Sequence, residues 1–148
     1  MASLVERIGI EPIREKVVDE AVTLIDSQVK SKGGVGGMAI RASYATIKAI
    51  KKRFVHETVD ALLDDWLGKL QPHYDKWAGG GKGTFTEFLT ARSEDVADDL
   101  LAVTDVRAER TSHTTAKKMY LKMRPAAKRN VAEAIPELSK LIERHLAA

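Results

Sequence analysis

Apolar residues recur at three- and four-residue intervals in almost every segment of this chain, the spacing that puts them on one face of a helix. Ser3 and Glu6 have the spacing of a capping box, which predicts a short helix stopping near Gly9. Pro12 stands where a first-turn proline belongs. Ile13, Val17, Ala21, Leu24, Ile25 and Val29 follow on one face, predicting a helix to about Lys32. The run Gly33-Gly34-Val35-Gly36-Gly37 predicts the loop that ends it.

A third helix is expected from about Met38 to Arg53. Projected at 100° per residue, Ile40, Tyr44, Ile47, Ile50 and Phe54 fall on one side, and Ala42, Ala45 and Ala49 on the other. Arg41, Lys48 and Lys52 form a narrow ridge between them, which suits a helix packed on two sides better than one lying on a membrane. Val59, Leu62, Leu63, Trp66, Leu67 and Leu70 make the next stripe, with Tyr74 and Trp77 leading to a second glycine loop at Gly79–Gly83. Thr84 with Glu87 is another capping-box spacing, opening a helix with Phe85, Phe88 and Leu89. Ser93 restarts helix through Val96, Ala97, Leu100, Leu101 and Ala108, and Thr111-Ser112 precedes another with Ala116, Met119, Tyr120 and Met123. Arg124-Pro125 should break or kink that last helix, and Pro136 should kink it again. No repeat and no strand pair is evident. The reading is one all-α domain over residues 1–148, with about six to eight helices and two Gly-rich inter-helix loops.

Composition narrows the options. At 148 residues the chain has single-domain length, and with 44% apolar but 5% aromatic residues its core must be mostly aliphatic. With no cysteine, disulfides and thiolate metal sites are excluded. The amino terminus meets Glu6 before any apolar region develops, so no signal peptide is read there. The charge-free stretch Gly33–Ile40 is far below the roughly 20 residues of a membrane span. The cytoplasm is the expected location.

The net charge of +3 hides segregation. Residues 41–53 are basic, 57–65 acidic, and from 87 to 105 six acids oppose one arginine, Arg92. Such alternation usually means neighbouring helices neutralise one another. The last block is the sharpest: Arg107, Arg110, Lys117, Lys118, Lys122, Arg124, Lys128 and Arg129 against Glu109 alone. It is the candidate nucleic-acid surface, offering point charges to phosphate but no side chain placed to read bases. Gly80, Gly81, Lys82, Gly83 and Thr84 are the candidate anion site, since glycine-loop amides, a lysine and a helix start can hold a phosphate. A plain inter-helix linker is the simpler account of that loop.

Other motifs fail on inspection. Lys32-Gly33-Gly34-Val35-Gly36 resembles the opening of a deviant P-loop, but Gly37 and Met38 stand where the lysine and hydroxyl should be. Glu94 with Asp98, and Asp95 with Asp99, share helix faces without a Glu-x-x-His partner, so a solvated acidic face is the expectation and no metal is assigned. No nucleophile elbow is present, and neither a catalytic residue nor a cofactor is assigned. Trp66, Tyr74 and Trp77 are expected to cap the core, with a ligand pocket as the sharper alternative.

The strings Ser3-Leu4-Val5-Glu6-Arg7, Val103-Thr104-Asp105-Val106-Arg107-Ala108, Lys117-Lys118-Met119-Tyr120 and Leu141-Ile142-Glu143-Arg144-His145 carry a resemblance over the whole chain. It resembles an uncharacterised bacterial family of small all-helical proteins with no assigned activity, which implies a helical domain and transfers no site. The functional expectation is a non-enzymatic interaction or scaffold module whose partner is protein, including a second copy of itself. Sequence-independent nucleic-acid binding at 107–129 and small-molecule or phosphate binding at 79–84 are the alternatives. A basic surface joining 107–129 to 41–53 would favour nucleic acid; an apolar pocket near Trp66 and Trp77 would favour a ligand.

Overall fold

A computed structural model describes residues 3–31, 34–50 and 53–147, and among them the chain is all helix and turn. Lys32, Gly33, Lys51 and Lys52 lie outside the described residues, as do the side chains of Ile47, Ile50 and Ala116.

Seven helices follow in order: α1 (Leu4–Ile8), α2 (Ile13–Ser31), α3 (Gly34–Ile50), α4 (Phe54–Ala78), α5 (Phe85–Thr90), α6 (Ser93–Arg110) and α7 (Thr114–Ala147). The first starts where its capping box requires. The Ser3 hydroxyl accepts from the Glu6 N–H, and the Glu6 carboxylate accepts from the Ser3 N–H. Gly9 stops it, and a Cβ there would lie 2.8 Å from the Val5 carbonyl and 3.1 Å from Leu67 Cδ1. Glycine therefore lets the end of α1 press against α4. Gln71 of α4 accepts the otherwise unpaired Leu4 N–H at 2.7 Å.

The first predicted glycine loop is a correction. Gly34–Gly37 form the opening turn of α3 rather than a loop. Glycine costs about 1 kcal/mol per helical position relative to alanine, a preference that tertiary packing readily overrides. Gly37 is buried, so the small residue serves packing there. Among the described residues, α3 packs on α2 and α4 alone. Tyr44 and Lys48 both fasten it to Asp26 of α2. The second glycine stretch is a loop as predicted, between Ala78 and Phe85.

Of the break or kink expected at Pro125, the break does not occur. Pro125 and Pro136 sit inside α7, and Pro72 inside α4, without ending either helix. A proline forfeits one backbone hydrogen bond and crowds the preceding turn. In α7 that cost is met by packing on α1, α2, α5 and α6.

The core joins α1, α2, α4, α5, α6 and the C-terminal half of α7. Leu4, Ile8, Leu89, Val96 and Ile135 are fully covered. Tyr74, Trp77 and Phe85 form a tilted aromatic triad with ring centroids 5.5–5.8 Å apart, capping that core as expected for Tyr74 and Trp77. Polar tethers fix the helices at its rim. Arg14 bridges Asp60 at 2.8 Å and Asp64 at 2.7 Å, and Glu20 holds both Arg144 and His145.

Candidate functional site

Trp66 does not join the aromatic cap. Its indole N–H donates to the Leu100 carbonyl at 3.1 Å, which ties α4 to α6 and turns the ring onto a cavity. That cavity, about 320 Å³ and half-open, lies between α2, α3, α4, α6 and α7. Val17, Ala21, Leu24, Ile25 and Val29 line it from α2, Ile40 from α3, and Val59, Leu63, Trp66, Leu67 and Leu70 from α4. Leu100 and Leu101 of α6 and Val131, Ala134, Leu138, Leu141 and Ile142 of α7 complete the apolar wall.

Among the described residues Gln28, Thr104 and Asn130 bring polar side chains to it, and none of these is charged. The Thr104 hydroxyl is already engaged with the Leu101 carbonyl and the Tyr120 hydroxyl. Gln28 and Asn130 bring amide side chains to the same wall. The apolar stripes of the sequence contain most of these residues, but nothing in a stripe says whether its helices close fully on one another. Helix spacing decides that, and it has no local signal.

The basic candidates are not one surface. Arg107 and Arg110 stand exposed at the end of α6, while Lys118, Lys122 and Arg129 are exposed on α7 and Lys117 is half-buried. Arg124 and Lys128 turn inward to the acidic helix. Arg124 meets Asp105 through Nε at 2.8 Å and Nη2 at 3.0 Å, and Lys128 meets Asp98 at 2.8 Å. The Tyr120 hydroxyl donates to Asp105 as well. The Arg124 hydrogen bonds hold Asp105 below the usual carboxylate range, and Lys128 does the same for Asp98. Burial first, then Asp105, pushes the Tyr120 phenol up. The acidic 87–105 block thus neutralises part of the basic segment. Among the described residues the 41–53 ridge does not join it: α3 packs on α2 and α4, and Lys48 is taken by Asp26, while Lys51 and Lys52 lie outside the described residues.

In the 79–84 loop, Gly80 and Gly81 turn their N–H groups back to the Trp77 carbonyl, and the Gly83 carbonyl accepts from the Trp77 indole. Gly80 and Gly83 have positive φ, which glycine adopts without strain. The Thr84 hydroxyl accepts from the Glu87 N–H, and the Glu87 carboxylate lies against Gly83. A carboxylate already occupies the ground a phosphate would need. Lys82 is exposed. Among the described residues no group of three or more His, Asp or Glu side chains is arranged to hold a metal ion. Asp98 and Asp99 instead face Lys128 and His73.

No curated protein and no solved structure matches this chain. A family model does match, over residues 4–146, and so takes in every helix that builds the cavity and the charged seam. The chain belongs to that family, DUF6918, a family of unknown function.

Proposed function

We propose that this protein is a non-enzymatic binding module whose ligand is an uncharged, mainly apolar small molecule held in the inter-helical cavity. The observation that carries the reading is the cavity's combination of size and lining. Ligand pockets run from about 300 Å³ upwards, with apolar walls and a few polar groups, and this one holds about 320 Å³ with no charged side chain among the described residues of its wall. Left half-open to solvent, this apolar wall forgoes the burial that an occupant would give it. Water in its place would face hydrocarbon and find few partners. An apolar occupant removes both costs. The volume admits about ten non-hydrogen atoms at about 30 Å³ each, or that length of a longer chain whose neutral head reaches Gln28 and Asn130.

Naphthalene, a neutral apolar molecule of about ten non-hydrogen atoms, matches that volume and is a suitable probe. It should bind saturably in a calorimetric titration and raise the melting temperature, because a ligand of the folded state alone stabilises it. Ala134→Leu should abolish that binding while stabilising the free protein by about 0.5–2 kcal/mol, as cavity-filling changes do. In a close-packed core the same enlargement would instead cost about 1–3 kcal/mol. The absence of saturable binding, or a destabilised Ala134→Leu, would overturn the proposal.

A further inference from the structure

The cavity is long and narrow. Its wall runs from Val17 to Val29 along α2 and from Asn130 to Ile142 along α7, each about 18 Å at about 1.5 Å per residue. It lies where α2 and α6, both packed on α4 and α7, do not meet each other among the described residues. Spread over that length, about 320 Å³ leaves a mean cross-section of about 18 Å². Carbon atoms in contact stand about 4 Å apart, so one extended hydrocarbon chain fills about 16 Å². The space is one chain wide.

Its two ends differ. Glu20 ties α2 to Arg144 and His145 of α7. Near that tie Val17, Leu141 and Ile142 close the wall, each at most 3% exposed. Both helices lead away from the tie, α2 to Gln28 and α7 to Asn130, and both residues are half-buried. Thr104 of α6 is half-buried too, and bonds Tyr120 on the side of α7 remote from the tie. The polar side chains of the described wall therefore gather at the exposed end, and the covered end is apolar. We infer that the ligand is a single-chain amphiphile, with one unbranched alkyl chain lying along α2 and α7. The methyl end meets Val17 and Ile142, and the polar head stays at the mouth beside Gln28 and Asn130. At about 30 Å³ per carbon the chain has about ten carbons. This rests on the cavity reading above and narrows it from any apolar body of that volume to a linear one. Flat naphthalene still enters edge-on, so it reports the cavity without reporting its shape.

Calorimetric titration of the full chain with 1-decanol and with 1-adamantanol, neutral alcohols of equal carbon number, tests the shape. Decanol should bind about tenfold more tightly or better, because a cage wider than one chain overpacks the wall. From 1-hexanol through 1-octanol to 1-decanol, affinity should rise about fourfold per methylene, the value of a buried CH₂ group. The rise should stop beyond about ten carbons, where the volume is filled. Ala21→Leu, which fills space beside the closed end, should move that stopping point to a shorter alcohol. Its melting temperature shows whether it folds, and the parent's series decides the matter without it. Equal affinity for decanol and adamantanol, alongside naphthalene binding, overturns the chain and leaves the cavity reading standing. Affinity indifferent to chain length does the same. Failure of both naphthalene and decanol to bind overturns both.

Discussion

The two halves of α7 are one uninterrupted helix and behave as different materials. From Val131 onward its apolar residues enter the core, with Ile135, Leu141 and Ile142 at most 3% exposed. Before Pro125 its apolar residues Met119, Leu121 and Met123 are 50–60% exposed, and Tyr120 and Arg124 tie it to Asp105 of α6. Backbone and helix type are the same in both. What differs is the packing: the C-terminal half enters the core shared with α1, α2, α4 and α5, whereas Tyr120, Arg124 and Lys128 tie the earlier part to α6 in a helical hairpin. A single facing helix can cover only a narrow strip, so the second helical face is released for other use.

Truncation within α7 should expose that difference most sharply. Ile135→Ala removes a fully covered side chain that lies outside the cavity wall, and should cost about 2–5 kcal/mol in urea unfolding. Leu121→Ala removes a comparable side chain from solvent and should stay within about 0.5 kcal/mol of the parent. Equal losses would mean that the hairpin is part of the core after all.

Much of this architecture is legible in the residues themselves. Ser3 with Glu6, Thr84, and the stripe from Val59 to Leu70 act locally, through caps and periodicity, and the helices form where those signals lie. Gly34–Gly37 reads as a loop because propensity is all that a glycine run offers, whereas packing on α2 and α4 decides its state. The cavity is illegible for a different reason. Leu24, Ile40 and Leu138 look like ordinary core residues, and the space between them depends on how five helices meet. The charged seam is half legible. Blocks 87–105 and 107–129 are visible as opposite charges, but the sequence does not say whether they meet, nor that Arg124 and Lys128 turn in while Lys118 and Lys122 stay out.

The clasp itself gives the next prediction. Arg124 offers Asp105 two N–H groups, a geometry stronger than a single ionic contact. Asp105 is about a third exposed, so solvent screening keeps the value of the pair to about 1 kcal/mol. Arg124→Ala should therefore speed amide hydrogen exchange in residues 114–124 while leaving protection near Ile135 and Leu141 close to the parent's. Uniform loss along α7 would show that its two halves unfold as one unit.

The smallest effect is the pH dependence of that clasp, and its sign is fixed by the shifts. The Arg124 and Lys128 hydrogen bonds hold Asp105 and Asp98 below their unfolded values, so the folded state releases those protons more readily. Their contribution is fully present above the ordinary carboxylate value near 4 and is lost as pH falls through the lower folded values. Tyr120 is shifted the other way, so its contribution is complete below about pH 10 and fades only as pH rises through its higher folded value. Between those limits the clasp should be insensitive to pH. Glu20 and Asp26 are also held low, by His145 and Arg144 and by Tyr44 and Lys48, against the opposing and larger single effect of burial, so acid weakens the body as well. Comparing the parent with Asp105→Asn cancels that common part. The difference in unfolding free energy should be about 0.5–1 kcal/mol at neutral pH, after screening, and should shrink towards zero as pH falls through the lowered folded value and the parent's own Asp105 takes up its proton. A difference that persists unchanged in acid would mean that Asp105 acts through shape and hydrogen bonding rather than charge, and the hairpin would then be held as the core is held.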